Sequence, residues 1–152
     1  MRMSSPELWV ALDAPADLFA ADRPDDIECE PELGYGVEEL QMTFEVRTGM
    51  CNYLTAAQPS LIGLAPGGTV SIRLFHYPLE APEPAEAHIG LGIDGRVLWE
   101  DTVPIPNDAG FVEGLIEIEH EFAAGAELQF HIHNHGPNDW LLFELEGTAP
   151  PP

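Results

Sequence analysis

Apolar and polar residues alternate in short runs that Pro or Gly cuts off before any helical turn can repeat, which leaves this chain little to fold into except strands. A strand buried on one face needs a period of two, whereas an amphipathic helix needs apolar residues three and four apart. Leu8, Val10 and Leu12 open the series, and Pro15, Pro24 and Pro31 among acidic neighbours mark an irregular segment over 13–36. Leu40, Met42, Phe44 and Val46 alternate up to Thr48-Gly49, and Val70, Ile72 and Leu74 follow the turn Pro66-Gly67-Gly68. The stretch PLEAPEPAE then has to run over the surface, because Pro has no N–H to give to a central ladder.

Ile89, Leu91 and Ile93 lead into Asp94-Gly95, and Val97 and Trp99 lead out, which predicts a tight hairpin. Val112, Ile116, Ile118 and Phe122 form the next run. ELQFHIHNH and WLLFELEG, joined by Gly136-Pro137-Asn138-Asp139, read as a second hairpin. Eight or nine short strands without a crossover helix predict an all-β fold, an antiparallel two-sheet β-sandwich of jelly-roll or cupredoxin-like type. At 152 residues and 45% hydrophobic, the chain has enough apolar mass for one core, so residues 1–152 read as a single domain.

Charge narrows the partners. With 27 Asp and Glu against 5 Arg and no Lys, the net charge is −22, and nothing in the chain can neutralise a phosphate backbone or an anionic lipid surface. No nucleic acid and no membrane insertion are therefore expected, the latter also because no segment approaches the ~18 apolar residues of a span. So dense an acidic surface without Lys is also the composition of proteins adapted to high salt. Cys29 and Cys51, an even pair in a loop-rich chain, are compatible with one disulfide, the alternative being two buried thiols.

Residues 130–136, FHIHNHG, are where residue type and spacing together suggest chemistry. In a strand, Leu128, Phe130 and Ile132 face one side and His131, His133 and His135 the other. Same-face neighbours lie ~6.8 Å apart, close enough for an H-x-H pair to converge on one ion, whereas the ~13.6 Å from His131 to His135 is too long for all three to do so without a bend. Two of these three, joined by His76 or His88 at the ends of the Pro-rich loop, form the expected ligand set, with Asp139 as a further candidate. Neutral imidazoles suit zinc or copper. Solvated histidines on an exposed strand are the plain alternative. His120, on the face of Ile118 and Phe122, reads as a core or rim residue. Trp99, Trp140 and Tyr77 are candidates for a sugar-stacking platform, although strand aromatics are commonly core.

Three resemblances bear on this pattern. Gly125-x5-His131-x-His133 resembles the opening of the cupin metal motif, without the Glu and the later His that a cupin carries. LAPGGTVSIRLFHY and AGAELQFHIHNHG resemble cupredoxin strands, without the blue-copper Cys. CNYLTAAQPSL, LFHYPLEAPEPAEAHIGL, VPIP and FHIHNHGPNDW, spanning Cys51 to Trp140, resemble a group of uncharacterised exported proteins of myxobacteria. That resemblance implies export, to periplasm or cell exterior, and a histidine-bearing sandwich. No G-x-S-x-G elbow, H-E-x-x-H helix or phosphate loop is present. The expectation is thus an exported zinc- or copper-binding sandwich with a binding or structural role. The alternatives are a non-metal interaction module, which recognises carbohydrate or assembles with its own copies, and a metal-dependent oxygenase or hydrolase.

Overall fold

The alternating runs do become strands: β1 (Val10–Ala11), β2 (Tyr35–Glu38), β3 (Thr43–Arg47), β4 (Tyr53–Pro59), β5 (Thr69–His76), β6 (Ala85–Ile93), β7 (Arg96–Ile105), β8 (Gly110–Glu117), β9 (Glu127–His133) and β10 (Asp139–Thr148). The computed structural model describes every residue, Met1–Pro152. The strands form two five-stranded sheets, ordered β1-β4-β9-β6-β7 and β2-β3-β10-β5-β8, in which all pairings are antiparallel. Helical structure is limited to 3₁₀ turns at Pro6–Leu8, Ala14–Ala16 and Ala20–Asp22. No helix is long and apolar enough to cross a membrane.

The β6–β7 hairpin forms as expected. Asp94 and Gly95 take φ of 48° and 77°, the left-handed pair that a two-residue turn needs to match strand twist. The expected second hairpin does not form. β9 pairs with β4 and β6, and β10 pairs with β3 and β5, so Gly136–Asn138 carries the chain from one sheet to the other. Alternation reports which side chains are buried; since both sheets bury toward one core, it cannot report which sheet a strand joins. Only β2–β3 and β6–β7 are consecutive neighbours within a sheet.

The core lies between the sheets. Leu128, Phe130 and Ile132 of β9 and Ile89, Leu91 and Ile93 of β6 meet Val70, Ile72 and Leu74 of β5 and Trp140, Leu142 and Leu145 of β10. Each such side chain contributes ~1.5–3 kcal/mol by leaving water. Some expected apolar positions fall outside: Leu40 and Met42 lie before β3 and are 94% and 59% exposed, and at β1 it is Trp9 rather than Leu8 or Val10 that is buried. Likewise His120 lies beyond the end of β8 and is exposed.

The first sheet is buried on its outer face too. Residues 12–23, expected to be irregular, lie across that face as a strap, which explains why Tyr53–Gln58 of β4 are all buried and give no alternation. The strap is fixed by the outward-pointing Gln129 and by missing side chains. Gln129 accepts from the Leu18 N–H at 3.0 Å and donates to the Ala16 carbonyl at 2.8 Å; Gln58, on the inner face opposite Leu128, makes a similar reciprocal pair with Ser5, ahead of the strap. Phe19 and Leu18 occupy the space above Gly90 and Gly92 of β6, where an added Cβ would come within 2.3 Å of the Phe19 ring and 2.6 Å of the Leu18 methyl. Beyond the strap, a disulfide joins Cys29 to Cys51, 22 residues on. Replacing both cysteines by Ala is expected to lower the unfolding free energy by ~3 kcal/mol in the chain-entropy account of such a loop. Gly90→Ala is expected to cost ~1–3 kcal/mol by displacing a well-packed ring. Denaturant melts of each variant check both.

Candidate metal centre

β9 is the middle strand of the strapped sheet, and its register sets the site. His133 lies opposite both Tyr53 of β4 and His88 of β6, while His131 lies opposite Thr55 and Gly90. The histidines on the outer face of β9 therefore point under the strap, as the extended reading of FHIH requires, and His88 arrives beside them from the next strand. Phe19 stacks flat on His131, with centroids 4.6 Å apart and planes 6° from parallel, which the absence of a Cβ at Gly90 permits. Tyr53 packs edge-on against His131 and His133.

The strap supplies the remaining group. Asp22, closing the last 3₁₀ turn, presents one carboxylate oxygen, Oδ2, to three imidazoles: His88 Nδ1 at 2.7 Å, His131 Nε2 at 2.8 Å and His133 Nδ1 at 3.2 Å. The donor atoms of Asp22, His88 and His131 lie within 4.8 Å of one another. Burial pushes the Asp22 carboxyl up, but the contacts with His131, His88 and His133 prevail and hold it well below the usual carboxylate range. His131, with no exposed side-chain surface, is pushed down by burial against the opposing pull of Asp22.

The far sides of two rings are anchored. His131 Nδ1 lies 2.8 Å from Thr55 Oγ1 and 3.1 Å from the Leu54 carbonyl, and His88 Nε2 lies 3.0 Å from a Glu100 carboxylate oxygen. A carbonyl and a carboxylate only accept, and Asp22 too is only an acceptor, so His131 and His88 each stand between acceptors on both sides of the ring. Beside this, the Asp17 carboxylate accepts from the Tyr53 hydroxyl at 2.5 Å, the Phe19 N–H at 2.8 Å and Arg23 at 3.1 Å. Burial raises the Asp17 carboxyl, and these bonds more than reverse it; burial first and Asp17 second raise the Tyr53 phenol.

His133 and His135 face each other, Nε2 to Nε2, at 3.0 Å. The intervening turn is fixed by its other residues. Buried Asn134 accepts from Trp140 Nε1 at 2.8 Å and from Asn138 at 3.2 Å, and Asn138 exchanges hydrogen bonds with the Glu80 backbone. Gly136 has φ of 113°, and a Cβ there would sit 2.0 Å from the Glu80 carbonyl oxygen.

The structure thus joins His88, His131 and His133, sets His135 beside them and adds Asp22. His76 does not join. It sits on β5 of the other sheet, buried against Trp140, with Nδ1 2.9 Å from the Tyr77 carbonyl. Asp139 pairs with Arg47 across β10 and β3. Nor do Trp99, Trp140 and Tyr77 form a platform: Trp140 is 1% exposed, Trp99 lies over Gly114 between the sheets, and of the three only Tyr77 is open. Asp22 was hidden among 27 acidic residues; the one local hint, Gly90 and Gly92 inside a strand, marks the close approach of Leu18 and Phe19 and does not single out Asp22.

No family model and no curated protein matches the chain. Among solved structures, similarity is found to a CBM4 structure (13% identity, 95% of this chain and 88% of that one, TM-score 0.48). A family 16 carbohydrate-binding module is similar at 10% identity over 76% and 85% of the two chains, TM-score 0.47. The TmCBM61 structure with beta-1,4-galactotriose is similar at 7% identity over 78% and 83%, TM-score 0.47. These likenesses concern sandwich layout and transfer no ligand to this chain.

Asp17 ties this site to acid stability. A carboxylate whose folded pKa is depressed stabilises the fold above the unfolded value of ~4, and that contribution is lost as pH falls through the folded value. Urea melts between neutral and strongly acid pH are expected to show stability falling below about pH 4. Asp17→Asn is expected to remove ~1.5–3 kcal/mol at neutral pH and to flatten that fall.

Proposed function

We propose that the protein is a jelly-roll binding module of an oxidising, extracytoplasmic compartment that holds one transition-metal ion, zinc or copper, between Asp22, His88 and His131, with His133 joining as a fourth ligand from the far side of Asp22. One observation carries this reading: three imidazole nitrogens converge within 2.7–3.2 Å of a single oxygen of Asp22. Ligands of one zinc ion, each ~2.0–2.2 Å from the metal, lie about 3 Å apart. The surroundings of the rings agree with this. His131 and His88 each stand between acceptors on both sides, while a neutral imidazole has a single N–H; with an ion between the rings and Asp22, that proton would stay on the Leu54 or Glu100 side and the inward nitrogen would serve as a ligand. The disulfide supports the compartment, and the resemblance to exported myxobacterial proteins agrees with it.

Strap and sheet each supply ligands, so the ion would fasten a segment that already packs without it. This favours a binding or structural role. Tag-free protein supplemented with zinc or copper is expected to retain about one tight equivalent per chain, and His131→Ala and Asp22→Asn to weaken it by at least ~10–100-fold. Metal analysis after dialysis checks this, and a metal-free wild type would end the reading.

A different face favours the second reading, a carbohydrate-recognising module. Phe75, Tyr77, Phe111 and Phe143 cluster edge-to-face on the outside of β5, β8 and β10, with Arg73 over the Phe111 ring, and the last three are 50%, 47% and 42% exposed. Exposed aromatics stack on sugar rings and on other apolar surfaces. If this reading holds, glycan-array binding is expected from the wild type and is lost in Phe111→Ala, while Asp22→Asn leaves it intact.

A further inference from the structure

We infer that His133 bridges two metal positions, the one described above and a second, solvent-facing one completed by His135. This rests on the reading of the first site. An imidazole has a nitrogen on each side of its ring, and here each side is matched: His133 Nδ1 lies 3.2 Å from Asp22 Oδ2, while Nε2 lies 3.0 Å from His135 Nε2. That second spacing is again what two ligands on one ion show, since each sits about 2 Å from it. His88 and His131 differ from His133 in having their far nitrogens committed to Glu100, Thr55 and Leu54. His133 has no protein oxygen on its far side; another imidazole stands there.

The turn is built to keep it so. Asn134 between the two histidines is fully buried and tied to Trp140 and Asn138, and Gly136 fits only because it lacks a Cβ against Glu80. This bend overcomes the strand spacing that would otherwise carry His135 away from its neighbours. His133 is nearly covered and His135 exposed, so the second ion would have two protein ligands and its other positions open to water or to a small oxygen-donor ligand. On forming the bridge, His133 gives its one N–H proton to solvent, and each nitrogen lone pair goes to one ion. The chain's net charge of −22 makes a second cation electrostatically acceptable.

The test is copper(II) titration of the tag-free, chelator-stripped full chain, read by calorimetry and metal analysis, with the electron paramagnetic resonance signal measured at each step. About two equivalents are expected in the wild type and about one in His135→Ala, which keeps the tighter step. The doubly loaded wild type is expected to show less signal than its copper content, because spins couple across the shared ring, and His135→Ala to show the full signal of its single ion. One equivalent in both proteins, or two with full signal intensity, would overturn the bridge and leave the first site standing. Absence of tight copper from both proteins would remove the first site as well.

Discussion

His131 is an imidazole without any exposed surface on what would ordinarily be the wet side of a sheet. A buried polar ring is tolerated only when both its nitrogens find partners, since an unmatched one forfeits the hydrogen bonds water would have given it. Inward, Thr55 and Leu54 meet that demand; outward, Asp22 does. Much of the first sheet's outer face follows from this. The strap has to cross at the height of β9, Phe19 has to lie on the ring, and β6 has to be glycine where the phenyl sits.

Around that ring the protein is organised in layers of decreasing apolarity. Between the sheets the contacts are aliphatic and aromatic; between sheet and strap they are hydrogen bonds and ion pairs, carried by Gln129, Asp17, Tyr53 and Arg23. A buried polar layer is stable only if complete, and Asp17 shows how completion works. Its carboxylate gathers three hydrogen bonds from three residues, and one of them, from Tyr53, reaches a ring that packs edge-on against His131. The strap therefore orients the rings as well as covering them. Three of the five arginines are paired with acidic side chains, so little positive charge offsets the acidic surface, and the surrounding field favours cations at the histidine cluster.

Much of this was legible in the chain. The period-two runs gave the sandwich, Asp94-Gly95 gave its hairpin, and the H-x-H spacing placed His131 and His133 on one face. The misreadings share a cause. β4 escaped notice because it is buried on both faces and does not alternate, and that double burial exists only because a segment 30 to 46 residues earlier lies over it. The pairing of β9 with β10 was inferred from their adjacency in sequence, although each completes a different sheet. His76 stood at a strand end as His88 did, yet β5 and β6 lie in opposite sheets, so two histidines flanking one loop end on opposite sides of the core.

Local chemistry, which acts between neighbours in the chain, settled where strands run, where they turn, which residues face inward and that imidazoles gather on one strand. Side-chain period and turn geometry are properties of a few consecutive residues, so a one-dimensional reading captures them. The choice of Asp22 from among many carboxylates, the exclusion of His76 and the burial of His131 came from contacts between residues dozens of positions apart. Such contacts are fixed by how the sheets stack and how the strap drapes over them, and no local pattern encodes that.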